Sequence, residues 1–174
     1  MVNRPIGCMY RSFLKIGSYF VVMSLIACGC GRSGESEKQG SELAYPSSLS
    51  AASTPSEVAE VLIKGLDEGD TALLMRLVAI KAEREAIDAI YRQYGRHSEF
   101  DAEKTARLAA AGWGATYAFF EAGATVITEE EVTGDTATVY AQGMNATSGQ
   151  PQTLIIRLLR EEGLWKVRAG IHQE

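Results

Sequence analysis

Apolar residues between positions 54 and 121 recur at intervals of three and four, and beyond Gly123 they recur at every second position. The first spacing predicts helices and the second predicts half-buried strands. Thr54-Pro55-Ser56-Glu57 opens the helical part as a capping box with proline at the first helical position. Val58, Val61, Leu62 and Leu66 form one stripe behind it, and Gly69 supplies the stop. Asp70 caps a second helix that carries Leu73, Leu74, Leu77 and Val78. A third pattern runs through Ile87, Ile90, Tyr91 and Tyr94 to Gly95, and its outer side pairs Lys81 with Glu85, Arg84 with Asp88, and Asp88 with Arg92. The fourth, "DAEKTARLAAAGWGATYAFFEAG", places Leu108, Ala111, Ala115 and Phe119 on one side. Trp113, Tyr117 and Phe120 fall on a neighbouring side, and the helix is expected to reach about residue 121.

Four strands complete the chain: "ATVITEEEV", "DTATVYAQG", "QTLIIRLLR" and "LWKVRAGI". Gly134-Asp135 and Glu162-Gly163 mark tight turns, which make neighbouring strands antiparallel. Ala137, Val139 and Ala141, then Leu154, Ile156 and Leu158, then Trp165, Val167 and Ala169 alternate as a core face. Tyr140, Ile155, Leu159 and Leu164 fall on the opposite face among Arg157, Lys166 and Arg168. That face is too apolar to be wholly wet, so it is a candidate interface for another protein or for a second copy in a homodimer. Helices first, then an antiparallel meander, define an α+β domain with helices on a four-stranded sheet.

The first 27 residues have a different character. Arg4, Arg11 and Lys15, with no acid, precede the apolar run "IGSYFVVMSLIA". That run is short for a bilayer span and suits the core of an export signal. The whole chain carries 17 Lys and Arg against 22 Asp and Glu. Because the leader is wholly basic, the remainder of the chain is more acidic than the net charge of −5 conveys. With no long Lys/Arg cluster, this argues against nucleic acid as a partner. Residues 28–53 are rich in Gly and Ser and poor in large apolar groups, and so read as a flexible tether. The resulting division is 1–27 signal, 28–53 tether and 54–174 folded domain.

Leu25-Ile26-Ala27-Cys28 resembles the lipobox of bacterial lipoproteins. The resemblance implies cleavage after Ala27, lipid attachment at Cys28, and residence in the bacterial cell envelope. Gly29 in place of an Asp favours the outer membrane where one exists. Cys8 would leave with the signal and Cys28 would be blocked, so only Cys30 would keep a thiol and no disulfide is expected.

"TPSEVAEVLIKGLDEGD", "EEEVTGDTATVYAQG" and "LIIRLLREEGLWKVRAG" resemble the opening helix and strand ending of the nuclear-transport-factor-2-like (cone-fold) superfamily. The nearest group by these motifs is its lumazine-binding-like, uncharacterised lipoprotein branch. That likeness implies a curved sheet closing on its helices around a cavity, which other members use for binding or for acid–base catalysis. Residues for catalysis are sparse. His97 and His172 have no evident acidic partner, and capping explains Asp67, Glu68 and Asp70. Glu129, Glu130 and Glu131 read as a solvated strand end. No catalytic residue, metal site or cofactor is therefore assigned. Tyr91, Trp113, Tyr117, Phe120 and Trp165 are the candidates to line a pocket for a small apolar ligand, the alternative being that they fill the core. The expected function is a non-enzymatic, membrane-anchored ligand-binding or protein-interaction module, against a cone-fold isomerase, dehydratase or hydrolase.

Overall fold

A computed structural model describes residues 43–173, with side chains as far as Arg168. The expected export signal, Cys28, Cys30, the expected tether as far as residue 42 and the side chain of His172 lie outside the described residues. The helices are α1 (Pro55–Glu68), α2 (Thr71–Leu77), α3 (Ile80–Gln93) and α4 (Ala102–Tyr117), followed by β1 (Val126–Thr133), β2 (Thr136–Met144), β3 (Pro151–Glu161) and β4 (Leu164–Gln173). The strands form one antiparallel sheet in the order β1-β2-β3-β4. The architecture is α+β, as expected. Among the described residues, no helix is long and apolar enough to cross a membrane.

Local chemistry sets the element ends. Thr54 and Glu57 exchange hydrogen bonds of 3.2 and 2.8 Å as a complete capping box. Asp70 and Asp101 cap α2 and α4 through Leu73 N–H and Lys104 N–H. The β3–β4 turn gives Glu162 a φ of 54° and Gly163 a φ of 79°. Two consecutive left-handed residues match the right-handed twist of a two-residue hairpin.

Register pairs Ala137 with Leu158, Val139 with Ile156 and Ala141 with Leu154. All six residues are buried, together with Trp165 and Val167. Against this face pack Val58, Leu62, Leu74, Leu77, Ala106, Ala110 and Trp113 from the helices. Three of the four inward residues of β2 are small (Ala137, Ala141, Gly143), and at Gly143 the strand admits the Phe120 ring from the exit of α4. A Cβ at Gly143 would sit 2.6 Å from the Phe120 ring.

The two sheet edges are finished differently. Val78 bridges to Val167 on β4, and Ala79 N–H donates to the Val167 carbonyl at 2.9 Å. Tyr45 adds a 2.5 Å bond to the Trp165 carbonyl on the same strand. β1 instead carries a bulge between Ile127 and Glu129, together with a row of exposed acids. Both devices protect a strand edge.

Several expectations need correction. The tether does not extend to residue 53, because Leu43, Tyr45 and Leu49 pack on the core and Pro46 is buried. α4 stops at Tyr117, since Glu121 N–H and Ala146 N–H form a ladder between the chain leaving α4 and the β2–β3 loop. The buried side of α4 is Thr105, Ala106, Ala110, Trp113 and Tyr117, while Ala111, Ala115 and Phe119 are exposed. α3 buries no residue, with Ile90 41% and Tyr94 72% exposed. Its expected ion pairs are not formed among the described residues. Asp88 accepts the Ser98 hydroxyl through its carboxylate and Arg92 Nε through its carbonyl. Glu130 is not simply solvated, because it accepts the Ser56 N–H and hydroxyl at the start of α1.

Candidate functional site

Four of the five aromatic candidates belong to one contiguous core. Trp113, Tyr117, Phe120 and Trp165 are each at most 5% exposed and pack with the sheet and helices. Tyr117 and Phe120 stack at 5.5 Å, and the Arg160 guanidinium lies 4.9 Å over the Trp165 ring. Tyr91 stands apart on α3, half-buried and edge-on to Phe100 at 6.0 Å. The structure thus brings four of the set together and leaves the fifth outside.

One polar junction reaches into this core. The Tyr117 hydroxyl donates to Asp67 Oδ1 at 2.7 Å, and the Thr125 hydroxyl lies 2.9 Å from the same phenol oxygen. With the single phenol proton directed to the carboxylate, Thr125 is the donor to Tyr117. Gly123 N–H completes the Asp67 contacts at 3.1 Å. Burial, reinforced by the neighbouring Asp67, pushes the Tyr117 hydroxyl up to about 12, against a lowering contribution from Thr125. Burial alone does the same to Tyr45. Asp67 is therefore not a helix cap. It ties the end of α1 to the α4 exit, and Asp70 alone caps α2. Its place beside the stripe residue Leu66 is the signal available in the sequence, but nothing local identifies Tyr117 as its partner.

A cleft of about 360 Å³ opens beside this junction. Ile63, Val126 and Ile127 supply its apolar lining, and Glu60, Lys64, Asp67 and Glu68 its charged rim. None of the five aromatic candidates lines it. With its proton directed to Asp67 and Thr125 donating to its oxygen, Tyr117 clasps the end of α1 to the chain entering β1.

The four candidate interface residues share the sheet face turned away from the helices. Tyr140 pairs with Ile155, Leu159 with Lys166, and Leu164 with Glu161. Tyr140, Leu159 and Leu164 are half-buried, and Ile155 is 7% exposed. The exposed pair Arg157 and Arg168 stands between Ile155 and Leu159. Tyr140 OH approaches Glu131 at 3.4 Å on the same face.

No protein-family model matches the chain, and no curated protein matches it. Among solved structures it is similar to a Campylobacter jejuni protein provisionally named an NTF2-like transpeptidase, whose crystal structure was determined at 2.00 Å. The two share 18% identity over 68% of this chain and 100% of that one, with a TM-score of 0.44. The α+β architecture stands on the strand order and helix packing themselves.

Proposed function

We propose that this chain is an exported lipoprotein of the bacterial envelope, held through Cys28, whose cone-fold domain is a non-enzymatic protein-interaction module. The observation that carries the choice of a surface role is the closure of the core by Trp113, Tyr117, Phe120 and Trp165, each at most 5% exposed. These rings fill the interior between sheet and helices, and the cleft left open beside them is rimmed by the charged Glu60, Lys64, Asp67 and Glu68. The half-exposed apolar side chains Tyr140, Leu159 and Leu164 lie on the outer sheet face, where a partner would meet them. Anchoring rests on Leu25-Ile26-Ala27-Cys28 at the seam between the apolar run and the polar tract. One acyl chain binds a membrane only marginally, whereas the two or three of a lipoprotein hold it stably.

Labelling cells with radioactive palmitate tests the anchor. The wild type takes up label and Cys28→Ser does not; equal labelling of the two refutes attachment at Cys28. Incorporating a photo-crosslinking amino acid at Leu159 tests the surface, with a discrete protein adduct expected in cells. Absence of any adduct at this position refutes the interaction role of the outer face.

A further inference from the structure

The far end of α3 combines apolar and basic groups in a way the fold does not require. Residues 89–98 contain no acid and hold Arg92, Arg96 and His97, interleaved with Ile90, Tyr91 and Tyr94. Tyr91 packs on Phe100, but Ile90 and Tyr94, one helical turn apart, are exposed. The stretch is held in place. Asp88, the last acid before it, accepts the Ser98 hydroxyl at its other end, and Arg92 Nε donates to the Asp88 carbonyl at 3.2 Å. Gly95, with a φ of 67°, turns the chain out of the helix. An arginine near a helix C-terminus suits the helix dipole, which accounts for Arg92. It accounts neither for Arg96, beyond the helix, nor for the two exposed apolar side chains.

Charge is divided across the domain. α1 packs on β1, and together they carry Glu60, Asp67, Glu68, Glu129, Glu130 and Glu131. α3 starts at the opposite edge of the sheet, where Ala79 N–H donates to the Val167 carbonyl on β4 and Ala82 N–H to the Glu161 side chain. The same edge receives the chain from upstream, through the Tyr45 bond to the Trp165 carbonyl. A helix of 14 residues is about 21 Å long, so the far end of α3 lies within about 30 Å of that entry point. Cleavage before Cys28 would leave residues 28–42 between the lipid and Leu43, a leash of at most about 50 Å. The basic end of α3 is thus within the reach of the anchor.

We infer that residues 89–98 rest on the anionic phospholipid surface of the bilayer that bears the anchor. Ile90 and Tyr94 enter the headgroup–acyl boundary, and Arg92 and Arg96 meet lipid phosphates. The inference rests on the attachment at Cys28 proposed above and adds a second, oriented contact to it. A tyrosine suits that depth because its ring is apolar and its tip polar. Basic side chains beside a membrane are drawn to anionic lipid, and the acidic α1–β1 side is repelled by it, so one orientation is favoured. Two apolar side chains and two arginines are too little to hold a free protein on a bilayer. Behind a lipid anchor they suffice, because the tether keeps the effective concentration of the surface high.

The test uses the full lipidated chain, purified from cells and reconstituted into vesicles of phosphatidylethanolamine and phosphatidylglycerol with acyl chains brominated near the headgroup. Tyr94→Trp places an indole at the end of α3, and Val132→Trp places one at an exposed position on β1. Trp113 and Trp165 are buried and give a constant background. Bromine should quench the added emission of Tyr94→Trp by about half and leave that of Val132→Trp unchanged. Adding Arg92→Glu and Arg96→Glu to Tyr94→Trp should reduce the quenching at least about twofold, as should replacing phosphatidylglycerol with phosphatidylcholine. Adding Ile90→Asp should do the same, with circular dichroism unchanged in every variant. Equal quenching of Tyr94→Trp and Val132→Trp overturns the proposal, as does quenching indifferent to the two arginines. Flotation of the vesicles reports the anchor separately. A chain that floats with Tyr94→Trp unquenched overturns the surface contact and leaves the anchor standing, and a chain that does not float removes both.

Discussion

Replacing Tyr117 with phenylalanine removes a single oxygen that joins three elements. The phenol donates to Asp67 at the end of α1 and receives Thr125 at the entrance to β1, while Gly123 N–H reaches the same carboxylate. A hydrogen bond to a charged acceptor contributes about 1.5–3 kcal/mol. Asp67 is half-exposed and water replaces part of what is lost, so the cost falls around the bottom of that range, about 1–2 kcal/mol. For a domain of this size that is about 3–7 °C in Tm. Urea unfolding followed by tryptophan fluorescence measures it directly, because Trp113 and Trp165 are both buried. A double-mutant cycle of Tyr117→Phe with Asp67→Ala isolates the pair and should give a coupling of about 1 kcal/mol. The phenol also fixes the pH dependence. Its pKa in the folded chain is about 12, above the ordinary 10.0, and Tyr45 behaves likewise. Below pH 10 both tyrosines are protonated whether folded or unfolded. Between about 10 and 12 only the unfolded chain ionises, so stability falls across that window, less steeply in Tyr117→Phe. A loss below about 0.3 kcal/mol, or strict additivity with Asp67→Ala, would refute the clasp.

Trp113→Ala should cost about 3–5 kcal/mol, since its large side chain is fully buried in the core; a loss under about 1 kcal/mol in urea unfolding counts against that packing. Gly143→Ala should cost about 1–3 kcal/mol, because the new methyl meets the Phe120 ring at 2.6 Å and Thr125 Oγ1 at 2.7 Å; an unchanged melting curve contradicts the close approach. Glu130→Gln should lower stability by about 0.5 kcal/mol through loss of charge at the start of α1, and the difference from wild type should shrink with added salt.

The elements that the sequence announces are those whose cause is local. The Thr54 box needs only residues 54–57, and the strands reveal their faces because alternation admits just two choices. The rotation of α4 is not legible, because an alanine-rich helix differs little from side to side. It is set by tertiary packing, which buries Trp113 and Tyr117 and leaves Ala111, Ala115 and Phe119 exposed. The α3 stripe looks like a core face, but that helix has too little alongside it to cover Ile90 and Tyr94. Leu43, Tyr45 and Leu49 are spaced like nothing regular, and Tyr45 is held by a contact more than a hundred residues away in sequence. The roles of Asp67 and Glu130 are hidden for the same reason, since each is defined by a partner on a distant element.

Tyr45 and Leu49 decide where tension enters the domain. A pull transmitted along the chain from upstream meets the Tyr45–Trp165 bond at the rim of β4 before it reaches the first turn of α1. Releasing the segment parts one hydroxyl–carbonyl bond and strips Tyr45, Pro46 and Leu49 from the core, while α1 stays packed through Val58, Ala59 and Leu62. The stretch 46–54 would then straighten towards a full span of about 30 Å while the rest of the hydrophobic interior stays intact. Under such a pull, those nine residues would give way before the helices and sheet do.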